Sequence, residues 1–495
     1  MGGQTARQGG GIHEQDGIQG PSSFEGADFL KILGLKEQLR AGGMGIQQQT
    51  REDGRLVEVG FDASMRFHHG FESHRMSLAA YAIGAIQSLR PVSLSVEPRV
   101  EPGNGALMIR LTAICSLILG GILLAEKATE PNSVVPESPK EVVAPKAEWP
   151  VFRGNGALNG VAKEILAAPL KLSWKLELTG PIVATAAIAD GMVFIGSQDG
   201  DFHAIDLATG KEKWMKQLGD TLESSACVLD GRVYVGSGDG NLYALKADTG
   251  EELWKYATEG EILGGVNFLK HEDKTLLYVG SYDNFLHCVD ADTGKRLWAA
   301  ETGNYVNGTP AVAEGKVLFG GCDAILYMVD AVTGESRGEM EVGSHVANSV
   351  SVKDGVAYLA HYGNQAEAYS LAEKKQIWVH EERDFPYFAS PAVIEDTVLV
   401  ADRGKRLYAL NRKNGAVKWF FKARRSIDSS PVVSGPLVYF GSDDGRLYAV
   451  SLDAGKEVWS YEVGDAITAA PAIAGGRLVV GAQDGFVYAF KPKSS

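Results

Sequence analysis

Apolar and polar residues alternate in short runs from about residue 170 to the end of the chain, and turns rich in Asp and Gly separate the runs. Arg232–Gly236 (RVYVG) and Asn241–Leu245 (NLYAL) are typical, with the turn Ser237–Gly240 (SGDG) between them. A period of two that is bounded by glycine turns is typical of β-strands. The pattern therefore predicts an all-β region built from many short strands.

This alternating pattern repeats about every 40 residues. Most repeats end on a tryptophan, and the spacings between successive tryptophans are 40, 40, 44, 80, 41 and 40 residues. The double spacing marks one absent tryptophan, at Gly338, where the preceding turn Asp330–Gly334 is kept. A repeat of about 40 residues with four short strands is the signature of a β-propeller blade. The repeat tryptophans are Trp174, Trp214, Trp254, Trp298, Trp378, Trp419 and Trp459.

Eight units can be counted, and the two ends of the repeat region complement each other. The last unit stops at Lys493 after three strands, whereas the region begins with an unpaired strand, Leu172–Leu178. Pairing this strand with the last three would remove the open edge of the sheet. We therefore predict an all-β fold over residues 149–493, an eight-bladed β-propeller of four-stranded antiparallel blades. The predicted first strands are Ala184–Ile188, Ser225–Val228, Gly265–Leu269, Thr309–Val312, Ser349–Val352, Ser390–Val393, Ser430–Val433 and Ala470–Ile473.

The triplet Asp-Thr-Gly occurs twice, at Asp248 and Asp292, and such a pair could also supply the carboxylate dyad of an aspartic protease. In the aligned units, however, Ala208, Val332 and Lys413 take the place of this aspartate. A glycine recurs in six units, four residues before the tryptophan position, where a hairpin turn needs a positive φ; unit five has Glu373-Lys374 in place of its Thr-Gly turn. The triplets are therefore interpreted as turns between third and fourth strands. The turn glycines are Gly210, Gly250, Gly294, Gly334, Gly415 and Gly455.

Three segments precede the predicted propeller. Residues 1–107 show no sustained period, and we assign them no fold and interpret them as disordered or as an over-extended gene start. Residues 108–125 hold one arginine followed by an apolar run, which predicts a signal peptide or a signal anchor. Residues 126–148 are rich in Pro, Glu, Lys and Val and predict an extended linker. We therefore expect an exported protein of the periplasm or cell envelope.

Composition narrows the function classes further. The net charge is −14 and no block of Lys and Arg is present, which argues against a nucleic-acid partner. The four cysteines, Cys115, Cys227, Cys288 and Cys322, show no spacing typical of a zinc site or a disulfide framework. No metal site is predicted.

The repeat Ala204–Trp214 (AIDLATGKEKW) resembles the tryptophan-docking repeat of the pyrroloquinoline-quinone (PQQ)-like propellers. The preceding segment Trp149–Gly154 (WPVFRG) is similar to one found before the ring in many exported members. The resemblance implies that the repeat tryptophans pack between adjacent blades. They are then scaffold residues and not a cofactor site.

Two functions are known in that family. Its quinoprotein dehydrogenases use a vicinal Cys-Cys disulfide, a calcium ion and an Asp base, and this sequence offers no Cys-Cys pair and no matching ligands for PQQ or calcium. A PQQ- and calcium-dependent dehydrogenase is kept as the alternative. The resemblance to the BamB-type branch implies a non-catalytic, monomeric scaffold. Its expected partners are envelope proteins, such as an outer-membrane assembly complex, and it would reach the membrane only through a signal anchor or a partner.

Partner recognition is expected where units four to six depart from the repeat, above all at the turns Ala360–Asn364 and Ala401–Lys405 and the neighbouring connections. These turns and connections share one face of a propeller, and Arg and aromatic residues are enriched at interfaces. Ordinary repeat drift with solvated charges would give the same departures. The candidate partner-facing residues are His361, Tyr362, Arg383, Phe385, Tyr387, Phe388, Arg403, Arg424 and Arg425, and no catalytic residue is predicted.

Overall fold

The computed structural model describes residues 45–50, 56–62, 93–100, 107–114, 148–381 and 384–493. The chain divides into two units, Met1–Glu137 and Ser138–Ser495. The described strands of the first unit form one antiparallel sheet in the order first, second, fourth, third. They are Gly45–Thr50, Leu56–Asp62, Ser93–Val100 and Leu107–Ile114.

These strands lie largely in the region to which the sequence analysis assigned no fold. In Leu56–Asp62 the apolar residues Val57, Val59 and Phe61 do alternate with Glu58 and Gly60, but over too few residues to stand out. The strand Leu107–Ile114 overlaps the beginning of the predicted signal segment 108–125. Residues 115–125 and most of the predicted linker lie outside the described residues, so the signal and the linker stay predictions.

The second unit is an eight-bladed β-propeller, as predicted, and every blade is a four-stranded antiparallel sheet. Blade 1 consists of Ala187–Ala189, Met192–Gly196, Asp201–Asp206 and Glu212–Gln217, and blade 2 of Cys227–Leu229, Arg232–Gly236, Asn241–Lys246 and Glu252–Ala257. Blade 3 consists of Asn267–His271, Lys274–Gly280, Phe285–Asp290 and Arg296–Glu301, and blade 4 of Ala311–Ala313, Lys316–Gly320, Ile325–Asp330 and Ser336–Glu341. Blade 5 consists of Ser351–Lys353, Val356–Ala360, Gln365–Ser370 and Lys375–Glu381, and blade 6 of Ala392–Val393, Thr397–Ala401, Arg406–Asn411 and Val417–Lys422. Blade 7 consists of Val432–Ser434, Leu437–Ser442, Arg446–Ser451 and Glu457–Glu462, and blade 8 of Ala472–Ala474, Arg477–Gly481, Phe486–Pro492 and Leu170–Glu177.

The ring closes as predicted, because the N-terminal strand Leu170–Glu177 supplies the fourth strand of blade 8. It pairs with Phe486–Pro492 and places Trp174 opposite Ala489. At the inner edge, the Ala470 N–H of blade 8 donates to Thr185 Oγ1 of blade 1 at 3.1 Å. Blade 8 therefore has all four strands and is joined to blade 1, so the ring has no open edge there.

The innermost strands begin about two residues later than the sequence analysis predicted. The backbone N–H groups of Thr309, Ser349 and Ser390 each donate to a hydroxyl of the next blade, at 2.8, 3.0 and 2.9 Å. Because these N–H groups donate to the neighbouring blade, they are not available to the strand beside them. The hydrogen bonds of the blade's own sheet therefore begin about two residues later. The small hydroxyl residues that look like strand starts thus tie neighbouring blades together.

The repeat tryptophans pack between blades, as the resemblance implied. The Trp174 indole N–H donates to the Leu207 carbonyl at 2.9 Å. A Cβ on Gly210, whose φ is +73°, would lie 2.6 Å from the Trp174 ring. The turn glycine therefore serves both a positive φ and close contact with the indole. The same two features hold for Gly250, Gly294, Gly334, Gly415 and Gly455.

Where the tryptophan is absent, two residues of the repeat are replaced together, the tryptophan and the turn glycine that would pack against it. Gly338 stands in the fourth strand of blade 4, and Lys374 takes the place of the turn glycine in blade 5 with a φ of +54°. A Cβ built on Gly338 would lie 2.8 Å from Lys374 Cε, so the lysine side chain lies where the indole would pack. Loss of the tryptophan and loss of the glycine therefore belong together.

Residues 149–166, which we call the strap, run round the end of the ring that carries the hairpins between first and second strands. Carbonyls of Trp149, Gly156 and Gly160 accept the N–H groups of first-strand residues in blades 1, 4 and 7, at 2.8, 2.7 and 2.8 Å. Blades 2, 5 and 6 are bound in the same way. One short segment thereby fastens six blades.

Arg153 lies at the centre of this strap and is fully buried. Its guanidinium donates from Nη1 to the Pro431 carbonyl and from Nη2 to the Pro391 carbonyl, both at 2.8 Å. Burial lowers the pKa of Arg153 to about 9. Gly160 packs against the guanidinium with no room for a Cβ. The WPVFRG segment is therefore part of the structural frame.

Candidate functional site

The end of the ring opposite the strap is organised by one residue of each blade. This residue lies in the turn between the second and third strands, and its N–H donates to a carbonyl of the connection that precedes the blade, at 2.9 to 3.1 Å. Turns and connections therefore share this face, as the sequence analysis expected. We call the eight residues the mouth ring: Gln198, Gly238, Tyr282, Cys322, Tyr362, Arg403, Asp443 and Gln483.

The side chains of the mouth ring are distributed unevenly. Blades 8, 1 and 2 present two glutamines and a glycine, whereas blades 3, 5 and 6 present Tyr282, Tyr362 and Arg403. The Tyr362 ring lies 4.5 Å from the ring of Phe388, and Arg403 Cζ lies 3.4 Å from the Phe388 centroid. This group, Tyr362, Phe388 and Arg403, is called the aromatic sector. A guanidinium over an aromatic ring is a favourable and orienting contact.

An ion pair fixes Arg403 from its other side. Its Nε and Nη2 donate to the two oxygens of Asp428, at 3.0 and 2.7 Å. Such a two-pronged pair holds the planar guanidinium in one orientation. Burial, and after it the nearby charge of Asp428, raise the pKa of Asp443 to about 6, while Arg403 opposes the shift. The sector thus combines exposed aromatic area with ordered charges.

The structure divides the candidate residues of the sequence analysis. Tyr362 and Phe385 are each 43% exposed, and the side chain of Phe385 lies over Gly404 in the turn of blade 6. Phe388 is half-buried. Arg383 lies outside the described residues. The remaining exposed candidates are Arg403, Arg424 and Arg425.

His361 and Tyr387 are buried, so the prediction that they face a partner is wrong. His361 Nδ1 accepts the Gly363 N–H at 3.0 Å. In blade 2 the hydroxyl of Ser237 accepts the N–H of Asp239 in the same way, at 3.3 Å. His361 therefore replaces the turn serine in its structural role, and alignment of the two turns would have shown this. The Tyr387 backbone bridges to the turn of blade 6, which draws the side chain inward.

Sequence reasoning missed the tyrosines of blade 3. Tyr282 of the mouth ring stacks on Tyr305 with the ring centroids 4.6 Å apart and the planes within 3° of parallel. Tyr305 is 45% exposed. The turn of blade 3 keeps the usual Ser-x-Asp form, so its departure from the repeat is confined to the variable position. Comparing the variable position of that turn across all units would have found it.

The carboxylates of the Ser-x-Asp-Gly turns have a structural role in several blades. Asp239 Oδ2 accepts the Tyr243 hydroxyl at 2.6 Å, and Asp444 Oδ2 accepts the Tyr448 hydroxyl at 2.8 Å. These aspartates hold the third strand to its own turn and do not converge on one point. Within residues 148–381 and 384–493, no group of three or more His, Cys, Asp or Glu side chains is placed to hold a metal ion.

A family model described as outer membrane protein assembly factor BamB matches the chain over residues 168–281, 263–337, 282–424 and 420–495. The chain belongs to the BamB family. The matched segments together cover the ring of this BamB-family chain from the closing strand to the end, but not the strap. The comparison with curated proteins finds no match.

Solved structures share the fold of this BamB-family chain. BamB from Moraxella catarrhalis superposes with a TM-score of 0.57 at 20% identity, covering 65% of this chain and 99% of that one. A quinohemoprotein alcohol dehydrogenase from Comamonas testosteroni gives 0.61 at 16% identity, covering 70% and 81%. A europium-containing methanol dehydrogenase gives 0.59 at 13% identity, covering 70% and 98%. At these identities the likeness shows the propeller fold, and one fold can carry unrelated functions.

Proposed function

We propose that the chain is a non-catalytic scaffold of the cell envelope, and that it binds a partner protein through the mouth ring. The observation that carries this proposal is the uneven ring itself. The backbone bonds of the eight positions are the same, so the fold does not require an exposed Tyr or Arg at any of them. Exposed aromatic and Arg side chains grouped on a rigid frame are typical of the centre of a protein interface.

Two further observations support the envelope location and the kind of partner. The chain belongs to a family described by an outer-membrane assembly factor, and residues 108–125 predict an export signal. A monomeric ring that presents one face to an assembly complex agrees with both. Within the described residues, no helix is long and apolar enough to cross a membrane.

The residues present do not fit the PQQ and calcium of the quinoprotein alternative. Calcium takes six to eight oxygen ligands. The described turn carboxylates belong to separate blades, and each of those in blades 2, 4, 7 and 8 binds a tyrosine of its own blade. Cys227 and Cys288 are buried in different blades, which excludes a vicinal pair between them. No catalytic step is therefore derived for this chain.

Site-specific photo-crosslinking in envelope membranes tests the proposal. A photoreactive residue placed at position 362 should capture a partner protein, because this side chain of the aromatic sector is exposed. The same residue at positions 198 and 483, which are equivalent in the mouth ring, serves as the matched control. Equal capture from all three positions, or capture only from outer strands such as at Phe420, would refute the assignment.

A further inference from the structure

A second feature of the mouth lies between blades 2 and 3, away from the aromatic sector. It is a cavity of about 450 Å³ whose walls include Glu259, Glu261, Tyr282 and Tyr305. Its floor is formed largely by glycines of the turn of blade 2 and of the following connection. The cavity opens on the same face as the mouth ring.

The floor is open because side chains are absent where other blades carry them. Gly238 is the only mouth-ring residue without a side chain. Gly240 follows with a φ of +80°, a backbone conformation that suits glycine. A Cβ on Gly260 would lie 2.4 Å from the Asp283 nitrogen, so this position also requires glycine. The cavity is therefore built into the backbone.

One wall presents an aromatic face. The rings of Tyr282 and Tyr305 stack on each other and both line the cavity, and Tyr305 is the more exposed of the two. Burial raises the pKa of Tyr282 to about 12, so its phenol is neutral near pH 7. The electron-rich face of a neutral tyrosine attracts cations.

The other wall presents two exposed carboxylates, Glu259 and Glu261. Among the residues that the structure describes, neither has an ion-pair partner, in contrast to Asp428 beside Arg403. The position of Glu259 is glycine in the equivalent connections at Gly219, Gly303 and Gly464. The Glu259 N–H binds the turn carboxylate of the next blade just as the Gly303 N–H does. The fold therefore does not need an acid here.

We propose that this cavity binds a cationic side chain of the partner, the guanidinium of an arginine or the ammonium of a lysine. The cation would lie on the face of the Tyr305 ring and form ion pairs with Glu259 and Glu261. The negative charge of these two carboxylates makes the cavity complementary to a cation. This inference rests on the proposed function, because the cation belongs to a protein that docks on the mouth. It adds a chemical requirement, since the partner must carry a basic residue where it meets blades 2 and 3.

The test compares two small peptides on the full-length chain. Acetyl-Gly-Arg-Gly-amide is titrated against the same peptide with citrulline, which keeps the shape of arginine and removes its charge. Ligand-observed NMR reports both affinities. We expect the arginine peptide to bind about three- to tenfold more tightly, the range that one exposed cation–π contact and one or two surface ion pairs supply. Added salt should reduce this preference.

Variants locate the binding. The double variant Glu259→Gln, Glu261→Gln and the single variant Tyr305→Ala should each remove the preference for arginine. The double variant Asp248→Asn, Asp465→Asn removes two exposed carboxylates elsewhere on the ring and should keep it. Equal binding of the two peptides, absence of any binding, or an unchanged preference in the glutamine variant would overturn the inference. Crosslinking from position 362 is independent of this result, so the cation site can fail while the scaffold proposal stands.

Discussion

The two halves of the mouth ring share one backbone and differ in their side chains. Blades 8, 1 and 2 carry Gln483, Gln198 and Gly238. The other part of the ring, blades 3 to 7, carries Tyr282, Cys322, Tyr362, Arg403 and Asp443. The N–H of each forms the same bond to the preceding connection. Because the frame is satisfied by a glycine as well as by a tyrosine, the difference between the halves is free to serve recognition.

The largest expected effect comes from breaking the frame that both halves share. Arg153→Met should lower the free energy of unfolding by about 2–5 kcal/mol, since the buried carbonyls of Pro391 and Pro431 lose their donors. Urea unfolding measures this change. Arg477→Met, which removes exposed bonds to two carbonyls on the same end of the ring, should cost less than about 1 kcal/mol. Equal losses would mean that the strap does not hold the ring.

The second largest effect on stability is expected at Gly338, the repeat position that lacks a tryptophan. Gly338→Trp alone should destabilise the chain, because the turn position of the next blade carries a Cβ on Lys374 where the other slots have glycine. Adding Lys374→Gly should recover stability, with a coupling of about 1–3 kcal/mol in a double-mutant cycle. Additive changes in the cycle would contradict the linked replacement of the tryptophan and the glycine.

Asp443, the mouth-ring residue of blade 7 beside Arg403 and Asp428, should make the stability of the chain depend on pH. Its pKa is raised from 3.8 to about 6 in the folded chain, so the folded chain holds this proton more tightly and loses stability as the pH rises from about 4 to 6. Asp443→Asn should therefore stabilise the protein at pH 7.5 by up to about 1 kcal/mol after solvent screening, and by less at pH 4. Thermal unfolding at the two pH values measures it, and a gain confined to pH 4 would contradict the cause.

The smallest effect on folding is expected from the aromatic sector itself. Tyr362→Gln installs the residue of blades 1 and 8 in blade 5, and it should change the free energy of unfolding by less than about 1 kcal/mol, mainly through the lost contact with Phe388. Gln198→Ala is the matched substitution in the other half. A large loss for Tyr362→Gln would show that the sector is part of the frame.

Sequence patterns predicted the frame well, because its requirements repeat. A period of two, a turn glycine and a tryptophan recur from blade to blade, and the closing strand was evident from the incomplete last unit. The strap was not predicted, since Arg153 makes its contacts with blades more than two hundred residues away and no local pattern signals them.

The mouth was predicted only in part, because a departure from a repeat does not say whether the side chain points out or in. Tyr362 and His361 are neighbours in a divergent turn, yet one is exposed and the other fills the place of a serine. Tyr282 was missed for the opposite reason, since it lies in a turn that otherwise keeps the repeat. Both outcomes follow from the position within the turn rather than from residue type.

The central claim is that one half of a uniform ring carries recognition, and partner affinity tests it most directly. The partner captured at position 362 would be titrated against Tyr362→Gln, Arg403→Gln and against Gln198→Ala, Gln483→Ala, with urea unfolding as the control for folding. We expect the first pair to weaken binding at least about tenfold, a loss of roughly 1.4 kcal/mol or more, and the second to leave it unchanged. Equal weakening by both pairs, or none by the first, would contradict the claim.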